Sequence, residues 1–411
     1  MTFSKKPVSN KLPKIKVVGI GGGGINAVNH MITCGMQGVD FLTVDTDKQA
    51  LLLSKAQNRI QIGEKSPRGL DTGINPEIGQ AAAEESKNLL IEQLLGADMV
   101  IITSGMSGTT GTGAAPIVAE YAREVGALTV GVVTKPFSYE GKQRMNQAEV
   151  GIINLKDRVD TLITIPYDRM LMMVERRTSL REAYHFADDI VWHVVQGITY
   201  LLTKPGFINP DFDEVHGILA NAGVGFVGIG TATGKNAAQT AMESAIKCPL
   251  LEASIADKKG MLLNISGGKD MSMNDVSKAV KILTEEVDED AHIIFGAITN
   301  TELAKDEFRV ILVAVTSNDL IDSMNAFKRK VCANCKNDYI EGDKYCKYCG
   351  APLGKPDYTQ AIRSPLYGPP PVMRFHECPN CGYVWNTYVM IDKGRYCPKC
   401  GSLAPASKYD K

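Results

Sequence analysis

The stretch SGMSGTTGTG, residues 104–113, decides the fold, because it combines glycines and hydroxyl residues at the junction of two patterns. The apolar segment ADMVII (97–102) precedes it and the helix-patterned segment AAPIVAEYAREV (114–125) follows it. We therefore predict that a strand leads into this loop and a helix leaves it. The first N–H groups of a helix have no partner within the helix, so the backbone here is free to bind a ligand.

A second glycine-rich loop follows the first predicted strand, where Gly19, Gly21 and Gly24 form a G-x-G-x-x-G pattern. A third turn-rich segment, RGLDTGINPEIG (68–79), also precedes a helix pattern. Loops of this kind at one edge of a sheet can hold a polyphosphate between helix N-termini. The G-x-G-x-x-G pattern by itself leaves two alternatives open. It could be a turn without a ligand, or it could belong to a dinucleotide oxidoreductase in which Asp45 binds the ribose.

The chain alternates short apolar runs with helical patterns, which is typical of an α/β fold with a parallel sheet covered by helices on both faces. Predicted strands are 15–20, 39–44, 98–103, 128–134 and 161–166 in the first half, and 226–234, 260–268, 292–298 and 308–315 in the second. Between the halves, Ser179 and Glu182 have the spacing of a capping box. A broad apolar face follows them, so we expect a buried central helix.

The predicted organisation has nine segments. They are a disordered basic tail (1–13), a nucleotide-binding domain (14–178), the central helix (179–203), a loop with its following helix (204–220), a second α/β domain (221–318), a linker (319–330), a first zinc ribbon (331–354), a Pro/Gly linker (355–373) and a second zinc ribbon (374–405).

The overall composition excludes little. A length of 411 residues allows two cores, and a net charge of −1 favours neither bulk nucleic-acid binding nor membrane attraction. No apolar run approaches the roughly 18 residues of a membrane helix, and the N-terminus lacks the pattern of a signal peptide. We therefore expect a cytoplasmic protein without a transmembrane segment.

Eight of the ten cysteines follow residue 330 as four C-x-x-C pairs. They form two sets of four at ribbon spacing: Cys332, Cys335, Cys346 and Cys349, then Cys378, Cys381, Cys397 and Cys400. Four thiolates suit a structural Zn²⁺ and leave no open coordination position for catalysis, so two structural zinc ions are predicted. A redox role for these pairs is the alternative. Aromatic residues among Lys and Arg in the tail also fit nucleic-acid binding, although docking of a protein partner is preferred.

The stretches GIGGGGINAVNHMI, GTGAAPIVAEYAREVGALTVGVVTKPFSYEG, IPYDRML and GFINPDFDEV resemble FtsZ, the prokaryotic cell-division relative of tubulin. The likeness runs from Gly19 to about Val315, and it implies a tubulin/FtsZ-like fold. It also implies a GTPase that binds GTP or GDP with Mg²⁺ and assembles head-to-tail into cytoskeletal filaments. A member that binds guanine nucleotide without hydrolysing it, and acts as an adaptor through its zinc ribbons, is the alternative.

The resemblance also implies the binding residues. An aromatic residue at Tyr184 would stack on guanine, and Asp188, one helical turn later, would accept hydrogen bonds from the ring N–H and the amine of the base. Adenine lacks both donors, so GTP is favoured over ATP. The implied nucleotide-binding set is Gly21, Gly22, Gly23, Asn26, Asp45, Gly73, Gly105, Ser107, Gly108, Thr109, Thr110, Gly111, Thr112, Gly113, Glu140, Arg144, Tyr167, Tyr184 and Asp188.

The segment GFINPDFDEV resembles the loop that, in FtsZ and tubulin, enters the nucleotide site of the next subunit. Asn209, Asp211 and Glu214 hold its polar positions and are the implied catalytic residues. The two carboxylates would orient the attacking water, so that hydrolysis requires assembly.

Several positions depart from the family pattern. Ser107 and Thr109 replace glycines, and a positive φ at either position would cost on the order of 1–2 kcal/mol. Asp45 and Tyr167 replace asparagines, and Glu214 replaces an aspartate. Asp71 and Thr72 replace small residues in the loop expected at the γ-phosphate. These departures bear on turnover more than on binding.

Overall fold

The computed structural model describes residues 12–64, 75–175, 177–252, 254–300 and 303–316, and four short strands further on. The predictions for residues 1–11, for Asp71, Thr72 and Gly73, for the linkers and for the eight cysteines of the tail lie outside the described residues.

One mixed sheet organises the described part of the chain up to residue 316. Its ten strands are β1 (Ile15–Ile20), β2 (Asp40–Asp45), β3 (Asn58–Gln61), β4 (Met99–Gly105), β5 (Leu128–Lys135), β6 (Thr161–Pro166), β7 (Gly223–Thr233), β8 (Gly260–Gly267), β9 (His292–Thr299) and β10 (Glu307–Val315). The spatial order is β3-β2-β1-β4-β5-β6-β7-β10-β8-β9. All neighbouring pairs are parallel except those of β10, which is antiparallel to both β7 and β8.

Helices connect the strands. They are α1 (Gly21–Thr33), α2 (Lys48–Leu52), α3 (Pro76–Glu85), α4 (Lys87–Leu94), α5 (Thr109–Glu124), α6 (Lys142–Lys156), α7 (Tyr167–Met170), α8 (Leu180–Thr203), α9 (Phe212–Leu219), α10 (Ala237–Ile246) and α11 (Met273–Glu286), and a 3₁₀ turn spans Ser138–Glu140.

The α/β fold class and the nine predicted strands are confirmed. Two short elements, β3 and α2, have no counterpart in the prediction. The two halves share the sheet, because β6 pairs with β7 through three residue pairs, from Thr161↔Gly223 to Ile163↔Gly225.

The central helix α8 is also confirmed, and it begins where the sequence predicts. The Ser179 side chain accepts a hydrogen bond from the backbone N–H of Glu182, whose carboxylate accepts one from the N–H of Ser179 in return. Ile190 and Val194 of α8 are buried in one cluster with Val132 of β5 and Val313 of β10. The helix therefore packs against both halves of the sheet.

By contact density the chain divides into two compact units, residues 1–330 and 331–411. In the described residues of the tail, β13 (Met373–Glu377) pairs antiparallel with β14 (Val384–Tyr388), and two shorter strands are β11 (Arg329–Val331) and β12 (Asp338–Ile340). Among the helices of the described ranges, none has the length and apolar character needed to cross a membrane.

Candidate functional site

Two helix N-termini meet at the carboxyl edge of the sheet. Helix α1 begins directly after β1, and α5 begins four residues after β4 ends. The two strands are neighbours, with Ile20 paired to Ser104. The strand order reverses between them, which is where open α/β sheets bind ligands. The partial positive charge of both helix ends therefore falls on one spot, and this favours an anion.

Glycines allow the two loops to touch backbone to backbone. A Cβ on Gly21, which has a φ of +71°, would lie 2.9 Å from the backbone N of Gly111. A Cβ on Gly23 would lie 3.1 Å from the Cα of Gly105. At Gly22, in contrast, an added Cβ would meet no atom within 4 Å. Gly21 and Gly23 thus pack the loops together, whereas Gly22 faces open space.

This open space is a cavity of about 200 Å³ between the loops and the end of β2. It is lined by Gly21, Gly22, Gly23, Asp45, Thr46, Asp47, Ala50, Gly105, Gly108, Thr109, Thr110 and Gly111. We call it the phosphate cradle, for the chemistry that its backbone donors favour. Its lining, among the residues that the structure describes, contains two carboxylates and neither Lys nor Arg.

Asp45 is buried in the wall of the cradle. Its Oδ1 accepts a hydrogen bond from the backbone N–H of Asp47 at 3.1 Å, and burial raises the pKa of its carboxyl group despite this bond. Beside it, the hydroxyls of Thr46 and Thr110 lie 2.8 Å apart and join the end of β2 to the start of α5. Hydrogen bonds therefore connect the polar side chains of this wall of the cradle.

The two departures from glycine in the loop differ in their backbone. Ser107 has a φ of +106°, and its N–H donates to Thr112 Oγ1 at 2.9 Å. Thr109 is the first residue of α5 and is absent from the positive-φ residues of the described ranges. The conformational cost expected from the sequence therefore falls on Ser107 alone. The Oγ1 of Thr109 is buried and has no hydrogen-bond partner in the described part of the chain.

A second, larger cavity of about 650 Å³ lies between α1 and α8. Its lining is Asn26, Asn29, His30, Thr33, Lys55, Arg181, Tyr184, His185 and Asp188. The spacing of Tyr184 and Asp188 predicts a shared helix face, and both do line this cavity, opposite Asn26 of α1. We call it the base cavity, after the nucleotide base that the sequence analysis expects at Tyr184 and Asp188.

Asp188 supplies the carboxylate in the described lining of the base cavity, and its pKa is shifted. Burial raises the pKa of Asp188 to about 6, while the nearby His30 and His185 act in the opposite direction. Asp188 is therefore largely ionised at pH 7 and, as an anion, only accepts hydrogen bonds. Such a carboxylate favours a ligand that presents hydrogen-bond donors to it.

An aromatic cluster lies beside the base cavity. Tyr167 and Tyr184 contact edge to face with ring centroids 5.8 Å apart, and Phe137 lies 4.8 Å from Tyr167. Burial raises the pKa of Tyr167 to about 12, and a hydrogen bond with Thr134 opposes the shift. Tyr167 is thus a neutral donor or acceptor throughout the physiological range. It supports Tyr184 from the side and does not line the cavity itself.

Five other predicted binding residues lie outside both cavity linings: Ser107, Thr112, Gly113, Glu140 and Arg144. Arg144 forms an ion pair with Glu140 at 2.5 Å, and the Glu140 carboxylate also accepts the backbone N–H of Phe137. Thr112 holds the Ser107 N–H, and Gly113 provides close packing against Pro76 of α3. Thr112 and Gly113 therefore shape the loop at the start of α5, whereas Glu140 and Arg144 hold the 3₁₀ turn before α6.

The three predicted catalytic residues lie away from both cavities. Asp211 caps α9 in a reciprocal capping box with Glu214, at N···O distances of 2.8 and 2.9 Å. The side-chain amide of Asn209 donates to the carbonyl of Leu201, which lies in the last turn of α8. Asp188 lies in the N-terminal half of that helix, and the rise between Asp188 and Leu201 is about 20 Å at roughly 1.5 Å per residue. Within one chain, the acidic loop and the base cavity are therefore far apart.

Some lining residues were missed at the sequence level. Asp47 and Thr46 follow Asp45 directly at the end of β2, and a carboxylate pair spaced by one residue at a strand end is a signal that could have found them. His30 and Arg181 line the base cavity at helical spacing from Asn26 and Tyr184. Their faces become evident only once α1 and α8 are placed side by side.

Comparison with known proteins accords with this geometry. The family model described as Tubulin/FtsZ family, GTPase domain, matches residues 14–175, and that of the FtsZ family, C-terminal domain, matches residues 223–318. A double zinc ribbon model matches residues 332–401.

Two solved structures are similar to this chain. An empty FtsZ dimer from M. jannaschii is 38% identical with a TM-score of 0.72, and the match covers 75% of this chain and 89% of that chain. CetZ2 from Haloferax volcanii, solved as a GTPγS-bound protofilament, is 18% identical with a TM-score of 0.63 over 75% of this chain and 96% of that chain, and it supports the fold alone. From the FtsZ identity and coverage together with the matched domains, this chain belongs to the Tubulin/FtsZ family.

Proposed function

We propose that this chain binds GTP and hydrolyses it in head-to-tail filaments, where Asp211 and Glu214 of one copy complete the nucleotide site of the next. One observation carries the proposal: a single chain has a base cavity, a phosphate cradle and an acidic loop with exposed carboxylates, and the rise along α8 from Asp188 to Leu201, which holds this loop, is about 20 Å. A second copy is needed to bring the cavities and the loop together. The FtsZ dimer among the similar structures supports self-association.

Guanine is the base that the base cavity fits best. The Asp188 carboxylate would accept the ring N–H and the amine of guanine, and half-exposed Tyr184 would stack on the ring. Adenine would leave the half-buried Asp188 carboxylate opposite an acceptor, and a site that depends on such a pairing rejects the mismatch by roughly 10⁴-fold or more. GTP is therefore the proposed substrate, with GDP as the product that stays in the same site.

Magnesium fits the composition of the cradle. Triphosphate is strongly anionic, yet Asp45 and Asp47 in the described lining are also anionic and no basic side chain compensates them. These two carboxylates would hold the ion, directly or through water, since carboxylates and phosphates are the partners that Mg²⁺ prefers. If bound there, Mg²⁺ would supply positive charge against the phosphates.

The protein's own groups divide the remaining work. The N-termini of α1 and α5 would stabilise charge on the phosphates, and the Gly22 position leaves room for them. In the neighbouring copy, Asp211 and Glu214 would hold and polarise the attacking water in line with the terminal phosphate. Asn209, bonded to Leu201 and Lys204 of its own chain, would fix the position of this loop.

For the tail we propose two structural zinc ions, one in each cysteine set, and a role in recruiting a protein partner. The double zinc ribbon match and the C-x-x-C spacing support zinc. The eight cysteines lie outside the described residues, so the proposal for the tail rests on the sequence.

Complementation between two inactive variants tests the proposal. Gly22→Leu would fill the cradle, because the added side chain enters open space, and it would leave the loop of Asp211 and Glu214 intact. Glu214→Gln would leave the cradle intact and remove a catalytic carboxylate. We expect GTP hydrolysis to be low for each variant alone and to recover when they are mixed, since a Glu214→Gln copy can receive the loop of a Gly22→Leu copy.

A wild-type control over a concentration series completes the design. Turnover per chain should rise with protein concentration, because each site needs a neighbour. Turnover that is independent of concentration, together with no recovery on mixing, would contradict an assembled active site. Tightly retained guanine nucleotide without turnover would instead select the adaptor function.

A further inference from the structure

One hydroxyl of the phosphate cradle is buried without a partner. Thr109 is 5% exposed, and its Oγ1 has no hydrogen-bond partner among the described residues. Leaving such a group unpaired destabilises the folded protein, so it is rarely retained without a reason. A ligand that satisfies the hydroxyl would be one reason.

The hydroxyls of the two other threonines of the same loop are already engaged. Thr110 Oγ1 lies 2.8 Å from the hydroxyl of Thr46, and Thr112 Oγ1 accepts the backbone N–H of Ser107 at 2.9 Å. Both therefore hold the loop in shape. Thr109 is the remaining member of this group, and it lines the cradle at the first position of α5.

The position of Thr109 indicates which phosphate it would meet. Its backbone lies against α3, since a Cβ added to Gly79 would be 2.4 Å from the Thr109 carbonyl oxygen. The base cavity, with Tyr184 and Asp188, belongs to α1 and α8 instead. A nucleotide whose base lies there would extend its phosphate chain away from α8, so its outermost phosphate would come nearest to Thr109.

We propose that Thr109 donates a hydrogen bond from its hydroxyl to the terminal phosphate of GTP, and that this residue sets the preference of the site for triphosphate over diphosphate. The inference rests on the proposed function. A threonine near a helix start has two favourable χ1 rotamers, so its hydroxyl can turn toward an arriving phosphate. Thr109 is then a specificity-determining residue, and the hydroxyl that lacks a partner in the free protein gains one on binding.

Substitution by an isosteric side chain separates this role from a structural one. Thr109→Val keeps the shape and removes the hydroxyl, whereas Thr109→Ser keeps the hydroxyl. Affinities for GTPγS and GDP would be measured by titration calorimetry with Mg²⁺, and the unfolding midpoint would be measured without nucleotide. Thr199→Val is the matched control, because Thr199 is fully buried in α8 and its hydroxyl is bonded to Val195 O at 2.8 Å.

We expect Thr109→Val to weaken GTPγS binding by roughly tenfold, the loss of one hydrogen bond to a charged group, and to change GDP binding by less than about twofold. The same variant should raise the unfolding midpoint of the nucleotide-free protein, since an unpaired buried hydroxyl is removed. Thr109→Ser should retain the GTPγS affinity. Thr199→Val should leave both affinities unchanged and should not raise the midpoint. Thr109→Ala serves as a second variant if Thr109→Val does not fold.

Three results would overturn the inference: unchanged GTPγS affinity in Thr109→Val and Thr109→Ala, equal losses for GTPγS and GDP, or a lower midpoint for the nucleotide-free Thr109→Val. They leave the proposed function intact, because wild-type binding is measured in the same series. Failure of the wild-type protein to bind GTPγS would remove the proposed function, and this inference with it.

Discussion

Asp188 combines burial with ionisation, and this makes nucleotide binding dependent on pH. Its pKa is raised to about 6, and only the charged carboxylate matches the donors of guanine. A group with a raised pKa in the free protein supports binding above that pKa and loses this support as the pH falls through it. The effect should appear between about pH 7 and pH 5.

We predict that the affinity for GTP is nearly constant above pH 7 and falls by about tenfold per pH unit well below pH 6. Fluorescence titration across this range would measure it. Because phosphate groups titrate in the same range, the control is Asp188→Asn, which keeps the phosphate contribution and lacks the carboxylate. A wild-type profile parallel to that of Asp188→Asn would show that Asp188 does not bind the base.

Ser107 carries a backbone conformation that favours glycine. At a φ of +106°, the Cβ of Ser107 makes the backbone conformation unfavourable. We expect this free-energy cost to exceed the entropic cost of fixing a glycine at the same position on folding. We predict that Ser107→Gly raises the free energy of unfolding by about 1 kcal/mol, measured by denaturant titration. Ser107→Ala retains the Cβ and should show no such gain. An equal gain in both variants would mean that the serine side chain, and not the backbone, causes the strain.

For individual residues, the sequence predicts which side chains share a face better than it predicts the burial and backbone conformation of each residue. The four-residue interval between Tyr184 and Asp188 predicts a shared face, and the glycine patterns predict two loops that meet. That Ser107 rather than Thr109 takes the positive φ depends on where α5 begins, which the sequence TTGTG does not specify. The perturbed pKa of Asp188 depends on burial between two helices, which appears only in the folded chain.

Among the elements, α9 begins with a capping box that includes two proposed catalytic groups. Both carboxylates accept backbone N–H groups at the N-terminus of the helix. An alanine variant would therefore lower stability and remove the proposed catalytic group at the same time, and the two effects could not be separated. Glutamine can still accept the Asp211 N–H in a capping box, and asparagine can still cap the helix. Amide variants are therefore the appropriate probes of this loop.

We predict that Glu214→Gln keeps the free energy of unfolding within about 0.5 kcal/mol of wild type, whereas Glu214→Ala lowers it by about 1 kcal/mol. Both should reduce GTP turnover by on the order of 100-fold, the usual contribution of a group that acts on the water. Thermal unfolding and phosphate release would be measured in parallel. Full turnover in Glu214→Gln would assign Glu214 to capping alone.

Element prediction succeeded where several buried residues follow each other. Strands β1, β4 and β5 are almost entirely buried and read as continuous apolar runs. Strand β3 was missed because only Ile60 of its four residues is buried, which gives neither an apolar run nor an alternation. Helix α2 has one buried residue, Leu51, and is too short for a periodic pattern.

For the molecule as a whole, the sequence indicates two α/β halves but not the sheet that continues through them. The β6–β7 junction involves three residue pairs, including two glycines of β7, and strand pairing of this kind leaves no compositional mark. In the described ranges, the buried clusters lie between Ile15 and Val315. The first unit therefore has hydrophobic cores of its own.

We predict that zinc removal with a strong chelator releases about two ions per chain and leaves the main unfolding transition unchanged within about 1 °C, because a ribbon folds on metal energy rather than on a core. Metal content by mass spectrometry and calorimetric scans would measure this. Cys332→Ser should halve the zinc content as a matched variant. Loss of the main transition on chelation would contradict independent folding.

Because the N-terminal half of α8 lines the base cavity and the acidic loop follows the C-terminal end of this helix, the two tips of a stacked row would be chemically unlike. One tip would present an open pocket with its ligand free to leave, and the other would present bare carboxylates with nothing to act on. Every internal ligand would be enclosed by a neighbour, so exchange with solution would be confined to a single tip, and the row would renew itself in one direction.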